Sequence, residues 1–417
     1  MSSVMDGDRS GNRLSRWWSA TSNGLPRPFW YLLVGAFVNR LGYMVEPFLA
    51  LYLAGPRDLD PSTIGVVLAA FGAGAFASQP IGGYLADRFG RRVTLVGGML
   101  GTAASFVLLA TVRDLVLIGI VAFLSGLTVD MYRPAVSAMV ADLVAPEHRP
   151  RAFALLYWVI NLGVAAAGIT GGLLATRSYW LLFMVDAATC LAFAVLIARK
   201  VPETRPQRRP EEPRGYGQAL SDGLLLALAL AILLVMVVYM QSFVTLPLAV
   251  TADGLGPDAY GLIYAVNPVV VIAAQVFVLK VIDRLPIVLT LAVSAIIIGV
   301  GFALTTFASS VPFYMLTVVV WTIGEIGSNA VGTALVADIA PAALRGRYNG
   351  VVGMSFGAAA FVAPVVGTHI FEHYGEQALW TSCLVICLIS AAIVVAIGPA
   401  VKARRAALSQ AQLGQPR

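Results

Sequence analysis

The chain has 417 residues, 59% hydrophobic and 12% charged, with a net charge of +6 from 28 Lys and Arg against 22 Asp and Glu. Water-soluble domains carry about a quarter charged residues, so that class is excluded. A hydrocarbon core about 30 Å thick takes about 20 apolar residues per helix, so a dozen spans with short loops nearly exhaust the length and leave no room for a separate enzyme domain.

Residues 1–28 are polar and basic and lack a short apolar core before a small-residue cleavage site, so no removable signal peptide is expected. Apolar runs then predict spans over 29–53, 62–84, 93–112, 115–143, 152–176, 179–198, 220–250, 259–281, 286–307, 311–339, 348–371 and 376–398. An even number puts both ends on one side. With that side cytoplasmic, its tails and loops hold 23 of the Lys and Arg, the other side only 3 (Arg57, Arg113 and Arg177), and Arg40 and Arg133 fall inside spans. This bias predicts cytoplasmic termini. The basic residues lie between spans rather than on one patch, so no nucleic-acid partner is expected. The expected organisation is all-α and membrane-embedded, with twelve transmembrane helices in two pseudo-symmetric six-helix bundles. The bundles cover 29–198 and 220–398, a Pro-, Arg- and Glu-rich cytoplasmic linker covers 199–219, and cytoplasmic tails cover 1–28 and 399–417.

A shift of 196 residues aligns the two halves without a gap. Tyr43 meets Tyr239, Met44 meets Met240, Pro61 meets Pro257, Gln79 meets Gln275, Asp87-Arg88 meets Asp283-Arg284, Asp142 meets Asp338, and Arg149 meets Arg345. Most of these are polar or special residues, which shared apolar composition does not explain. Parallel repeats of this kind suit rocking about a site near the membrane midplane.

The loop after the second span reads Gly83-Tyr84-Leu85-Ala86-Asp87-Arg88-Phe89-Gly90-Arg91-Arg92. Gly83 would allow close helix approach, Gly90 a tight reversal, and Asp87 a charge able to meet an Arg or the positive end of a helix. The spacing G-x-x-x-D-R-x-G-R-R resembles the signature loop of the major facilitator superfamily. That resemblance implies that Gly83, Asp87, Arg88, Gly90, Arg91 and Arg92, with Asp142 at the end of the fourth span, form a gating latch between the halves. The second copy, Asp283-Arg284-Leu285-Pro286, lacks the glycines and the arginine pair. Tyr132-Arg133-Pro134, Ala141-Asp142-Leu143, Gly324-Glu325 and Ala337-Asp338-Ile339-Ala340-Pro341 are similar to the MdtH/LmrP-like twelve-helix drug:proton antiporters of that superfamily. The fifth span keeps the small residues Gly163, Ala167, Gly168, Gly171 and Gly172 of the antiporter pattern without its proline, and Ala122 stands where many relatives have arginine, a role Arg133 would take.

Charges at membrane depth cost at least about 2.5–3.5 kcal/mol and usually face a cavity or one another. Here they are Arg40 and Glu46 in the first span, Asp130 and Arg133 in the fourth, Asp186 in the sixth and Glu325 in the tenth. By resemblance, all but Asp186 lie on helices that line the central cavity. Asp130 and Arg133, three apart, can share a helix face, whereas Arg40 and Glu46 would sit about 120° apart on one ideal helix and need partners elsewhere. Crossed pairs of Arg40 with Asp130, or Glu46 with Arg133, are open alternatives, and Asp186 reads as a capping or interhelical residue. Glu325 is mid-span, flanked by Trp321, Thr322, Ser328 and Asn329, with no basic residue in its own helix. It is the leading candidate for proton coupling, with Asp130, Arg133, Glu46 and Arg40 in support. Aromatic faces and amides suited to an amphiphilic organic molecule are Asn39, Tyr43, Trp158, Asn161, Tyr239, Gln241, Tyr264, Asn267 and Trp321.

Enzyme chemistry has no inventory. The lysines Lys200, Lys280 and Lys402 never follow glycine, so no phosphate loop is present, and His148, His369 and His373 sit at span ends without nucleophile or zinc spacing. Cys190, Cys383 and Cys387 read as small core residues; no cofactor or metal is expected. The expected function is proton-coupled export of drug-like or amphiphilic small molecules by alternating access, from a monomer whose partners are substrate, protons and the lipid bilayer. The alternative is a proton-coupled symporter importing small nutrients such as peptides, whose first helix Arg40-Leu41-Gly42-Tyr43 resembles faintly. An excess of arginine, 25 against 3 lysines, points to a GC-rich bacterial genome and a bacterial inner membrane.

Overall fold

Inside hydrocarbon each backbone N–H and C=O must be satisfied within its own segment, so each apolar run winds into a helix. The computed structural model describes residues 24–204, 217–282, 284–341 and 344–413, and these contain helices and no strand. Much of the predicted linker and the acid of the second signature copy, Asp283, lie outside the described residues.

In chain order the spans are α1 (Arg27–Leu41, then Val45–Ala54), α2 (Pro61–Phe89), α3 (Arg91–Thr111), α4 (Leu115–Val129, then Tyr132–Leu143), α5 (Arg149–Arg177) and α6 (Tyr179–Lys200). The second bundle has α7 (Gly223–Tyr239, Gln241–Val244 and Leu246–Ala252), α8 (Pro257–Ile282), α9 (Ile287–Leu304) and α10 (Val311–Ile339). The last helical stretch, Arg345–Leu413, carries two spans, because Gly375 at φ 84 and ψ 172 divides it into α11 and α12. The fold is therefore twelve transmembrane helices in two six-helix bundles.

Three spans expected to be continuous are broken. Proline removes one helical hydrogen bond, and its ring collides with the carbonyl four residues back. Pro47, Pro134 and Pro247 point in this way at Tyr43, Asp130 and Phe243, and α1, α4 and α7 part near those residues. The α1 and α7 breaks fall at Tyr43/Met44 and Tyr239/Met240, which the repeat aligns.

Arg27, Arg88, Arg91, Arg92, Arg149 and Arg404 gather at one end of the bundles, the basic end. The halves meet along two seams, α2 with α11 and α5 with α8. Both are tight toward the opposite end. A Cβ on Gly172 of α5 would stand 2.9 Å from Pro257 O of α8, so glycine is what permits the approach. The Ser62 backbone N–H donates to Glu372 Oε2 at 2.9 Å across the first seam, and Phe48 meets Tyr260 edge-to-face with centroids 5.3 Å apart.

At the basic end α12 continues beyond its span and ties down the second bundle. Arg404 pairs with Asp222 at 2.9 Å, and Arg405 with Asp338 at 3.0 Å. Asp222, just ahead of the α7 span, also caps that helix at Leu224 N, 3.0 Å away, and accepts from the Tyr348 hydroxyl. Burial works against its charge, yet hydrogen bonds from Arg404 and Tyr348 hold the carboxyl down at about 2. A group held below its unfolded value stabilises the fold above that unfolded value, about 3.9, and loses the contribution as pH falls through its folded one. Asp222→Ala should thus lower stability by about 1–2 kcal/mol at neutral pH, with the gap to wild type closing between about pH 4 and 2. Thermal melting in detergent across that range checks it, and a gap independent of pH would refute it.

Candidate functional site

Between the bundles lies a cavity of about 500 Å³, and its wall names the helices that matter. Arg40, Tyr43 and Glu46 come from α1, Tyr132, Arg133, Val136 and Ser137 from α4, and Leu156, Tyr157, Ile160, Asn161 and Val164 from α5. The second bundle supplies Met236, Tyr239, Met240, Ser242, Phe243 and Leu246 from α7, Tyr264, Asn267, Pro268 and Val271 from α8, Val318, Trp321, Glu325 and Asn329 from α10, and Phe356 from α11. Toward the basic end the facing residues Arg133, Ser137, Asn329 and Phe356 are exposed, whereas Phe48, Leu53 and Tyr260 toward the opposite end are buried. The cavity opens at the basic end and is sealed at the other.

The first-bundle wall is cationic and aromatic. The Arg40 guanidinium lies 4.6 Å from the Tyr43 ring centroid and 5.4 Å from that of Tyr132, and donates to the Tyr132 hydroxyl. It is buried, and its Nε has no hydrogen-bond partner among the described residues. Arg133 pairs with Asp130 at 2.6 Å within α4. Of the pairings left open by the sequence, this local one is observed; Arg40 turns to aromatic rings instead. Glu46 lies beside Tyr43 on the same wall.

The second-bundle wall is aromatic and holds one acid. Tyr239 packs edge-to-face on Trp321 at 5.7 Å and on Phe243 at 5.9 Å, and Phe243 on Tyr264 at 5.8 Å. Asn267 Nδ2 donates to Glu325 Oε2 at 2.6 Å and to Thr322 Oγ1 at 3.0 Å. Tyr239 and Asn329 line the wall beside the Glu325 carboxyl. Among the described residues Glu325 has no salt-bridge partner, so it can lose or regain a proton without breaking an ion pair.

Of the residues singled out from sequence, Arg40, Tyr43, Glu46, Arg133, Asn161, Tyr239, Tyr264, Asn267, Trp321 and Glu325 are brought together on this wall. Asp130 reaches it only through Arg133. Asn39 is buried and donates to Cys190 Sγ at 3.3 Å, and Gln241 is buried and bonds Ala363 O at 3.1 Å. Trp158 is 50% exposed and off the wall. Its neighbour Tyr157 takes the place, because Tyr157, Ile160, Asn161 and Val164 follow the helical stripe of spacings three and four. That periodicity was a signal for Tyr157; Tyr132, Phe243 and Phe356 had none as clear.

The signature loop occupies the basic end of the first bundle. Gly90 turns at φ 113 between α2 and α3, a conformation glycine adopts without strain. Arg91 is buried and reaches Asp87 at 3.4 Å and Asp142 at 3.3 Å. Arg88 donates to the Tyr84 hydroxyl and Arg92 to Ala198 O, while Glu203 accepts from Arg92 N at 3.2 Å. Gly83 meets nothing here; its neighbour Gly82 packs on Met131. All these contacts stay within the first bundle and the chain just after it.

The family model described as Major Facilitator Superfamily matches residues 32–330 and 243–416. A Na(+), Li(+), K(+)/H(+) antiporter of Planococcus maritimus is 25% identical, over 80% of this chain and 87% of its own length. Multidrug resistance protein MdtH of Aeromonas salmonicida is 22% identical, over 86% of this chain and 91% of its own. Among solved structures, that of the peptide transporter POT in complex with sulfate superposes with a TM-score of 0.76 at 19% identity, covering 93% of this chain and 99% of that one.

Proposed function

Since the chain belongs to the major facilitator superfamily, a family of transporters rather than enzymes, we propose that it is a proton-coupled secondary transporter exporting amphiphilic, drug-like molecules across a bacterial inner membrane. The observation that carries this reading is Glu325: a carboxyl on the cavity wall, held by the Asn267 amide and, among the described residues, without a cation. Intramembrane acids of this kind serve as proton carriers in transporters. The antiporter and multidrug resistance protein among its relatives favour exchange and export.

With both termini cytoplasmic, as the Lys/Arg bias supports, the cavity faces the cytoplasm. An apolar substrate body packs on Trp321, Tyr239 and Phe243, while polar groups meet Asn161 and Asn267. Its arrival displaces the Glu325 proton. The halves rock about the seams, Asp87 and Arg91 help close the inner side, and outside protons release the substrate.

The test is transport in proteoliposomes under an imposed pH gradient, with fluorescent amphiphilic dyes, antibiotics and dipeptides. Dye or antibiotic movement against the proton flux is expected. Accumulation of dipeptides along with protons would overturn export, and movement of every compound regardless of the gradient would overturn coupling.

A further inference from the structure

Arg40 and Glu46 are six residues apart, which on a continuous helix leaves about 120° between them. Both line the cavity together with Tyr43. Because α1 breaks after Leu41, Glu46 starts a new helical segment whose phase is not dictated by the first.

A break at membrane depth leaves N–H groups at the start of the second segment without helical acceptors. Here a side chain from another helix supplies one. Asp186 Oδ2, from α6, accepts from Met44 N at 3.1 Å and from Val45 N at 3.0 Å. A carboxylate suits that place, facing the positive end of Val45–Ala54. The surroundings fix it further: the Cys190 thiol donates to Asp186 Oδ1 at 3.8 Å, Asn39 donates to Cys190, and Gly42 lies against Thr189, one turn along α6 from Asp186. No α6 residue lines the cavity.

The repeat supplies a comparison within the molecule. Ser382 stands where the 196-residue shift places Asp186, and its hydroxyl donates to Ala378 O in its own helix at 2.7 Å. At the α7 breaks the backbone supplies its own acceptors, Met240 N donating to Met236 O at 2.9 Å and Thr245 N to Gln241 O at 3.1 Å. Among the described residues, the first bundle alone anchors its broken helix by an acid from the sixth span.

We propose that Asp186 is a positioning residue for the substrate wall: by capping the broken first helix from behind, it sets the rotation that presents Glu46 beside Arg40 and Tyr43. The inference rests on this cavity being the substrate path, but its test needs no transport. Without the carboxylate, the N–H groups of Met44 and Val45 gain most by returning to the carbonyls of Arg40 and Leu41. That straightens the helix and turns Glu46 out of its present phase on the wall.

Single cysteines at Glu46 and, as a control on another helix of the same wall, at Asn267 are labelled with a water-soluble maleimide in detergent. The native Cys190, Cys383 and Cys387 are buried and give a low background. In Asp186→Ala, labelling of Glu46→Cys should fall about tenfold, within the usual range of coupling between packed sites, while Asn267→Cys keeps its rate. Asp186→Asn retains an oxygen acceptor and should restore labelling to within about threefold of the parent. Where alanine does not fold, Asp186→Glu, which keeps the charge but displaces the acceptor, should show the selective loss at Glu46→Cys instead. Unchanged labelling at Glu46→Cys, or equal losses at both positions, overturns the proposal. Failure of proton-driven transport with the selective loss intact would count against the transport reading alone.

Discussion

Glu325→Gln should abolish proton-driven transport while leaving the fold and substrate binding nearly intact. Glutamine preserves the shape, and its carbonyl can still accept from Asn267, so the aromatic wall around it has no reason to move. It cannot carry a proton. Gradient-driven flux should fall about a hundredfold, the scale on which losing a positioned proton-transfer group is felt, whereas exchange of labelled for unlabelled substrate without a gradient should persist. Glu46→Gln separates the two cavity acids. Glu46 lies near Asp130, Arg133 and Arg40, where its charge is one of several, so its loss should alter flux by about tenfold or less. Full gradient-driven flux in Glu325→Gln would remove the proton role from this residue, and with it the observation on which the functional reading stands.

Where an answer depended on composition or local spacing, it was legible in the sequence. Helix count follows from apolar length against membrane thickness, and Glu325 stands out because a mid-span acid with no cation in its own helix is costly wherever it faces. The signature loop was legible because Gly90, Asp87 and Arg91 act on neighbours a few residues away. Breaks were harder. Pro47, Pro134 and Pro247 could have marked them, yet Pro80, Pro268 and Pro364 sit inside helices that continue unbroken. What decides is whether the freed backbone groups find acceptors on another helix, as Met44 and Val45 do on Asp186. That is a long-range contact with no local signature, and for the same reason the phase of Glu46 relative to Arg40 could not be read. Trp158 and Tyr157 show the other limit: adjacent aromatics differ by about 100° around a helix, and composition does not say which one faces the cavity.

Asp87→Asn should shift the population toward the arrangement open at the basic end. In the present arrangement Arg91 is buried and paired with Asp87 and Asp142, and both acids lie in the same bundle. Asp87 is half exposed on its remaining face. Across the gap at that end, α11 begins at Arg345 with its N–H groups directed toward the basic end. When the gap closes, a carboxylate meeting a helix start is favourable by about 0.3–1 kcal/mol when exposed and up to about 2 kcal/mol when partly buried. A contact formed only on closing biases the equilibrium, whereas the ion pairs to Arg91 are already present in the open arrangement. Neutralising Asp87 forfeits most of the bias, and a shift of about fivefold to tenfold follows. Cysteine accessibility reads it from both sides: Phe356→Cys, in the open mouth, should label faster, and Ser62→Cys, in the opposite seam beside Glu372, more slowly. Asp142→Asn should move both rates less, because the nearest charge to Asp142 in the open arrangement is Arg91 of its own bundle. If both cysteines label in Asp87→Asn as they do in the parent, Asp87 and Arg91 are a fold-stabilising pair of the first bundle and the closing role lies elsewhere.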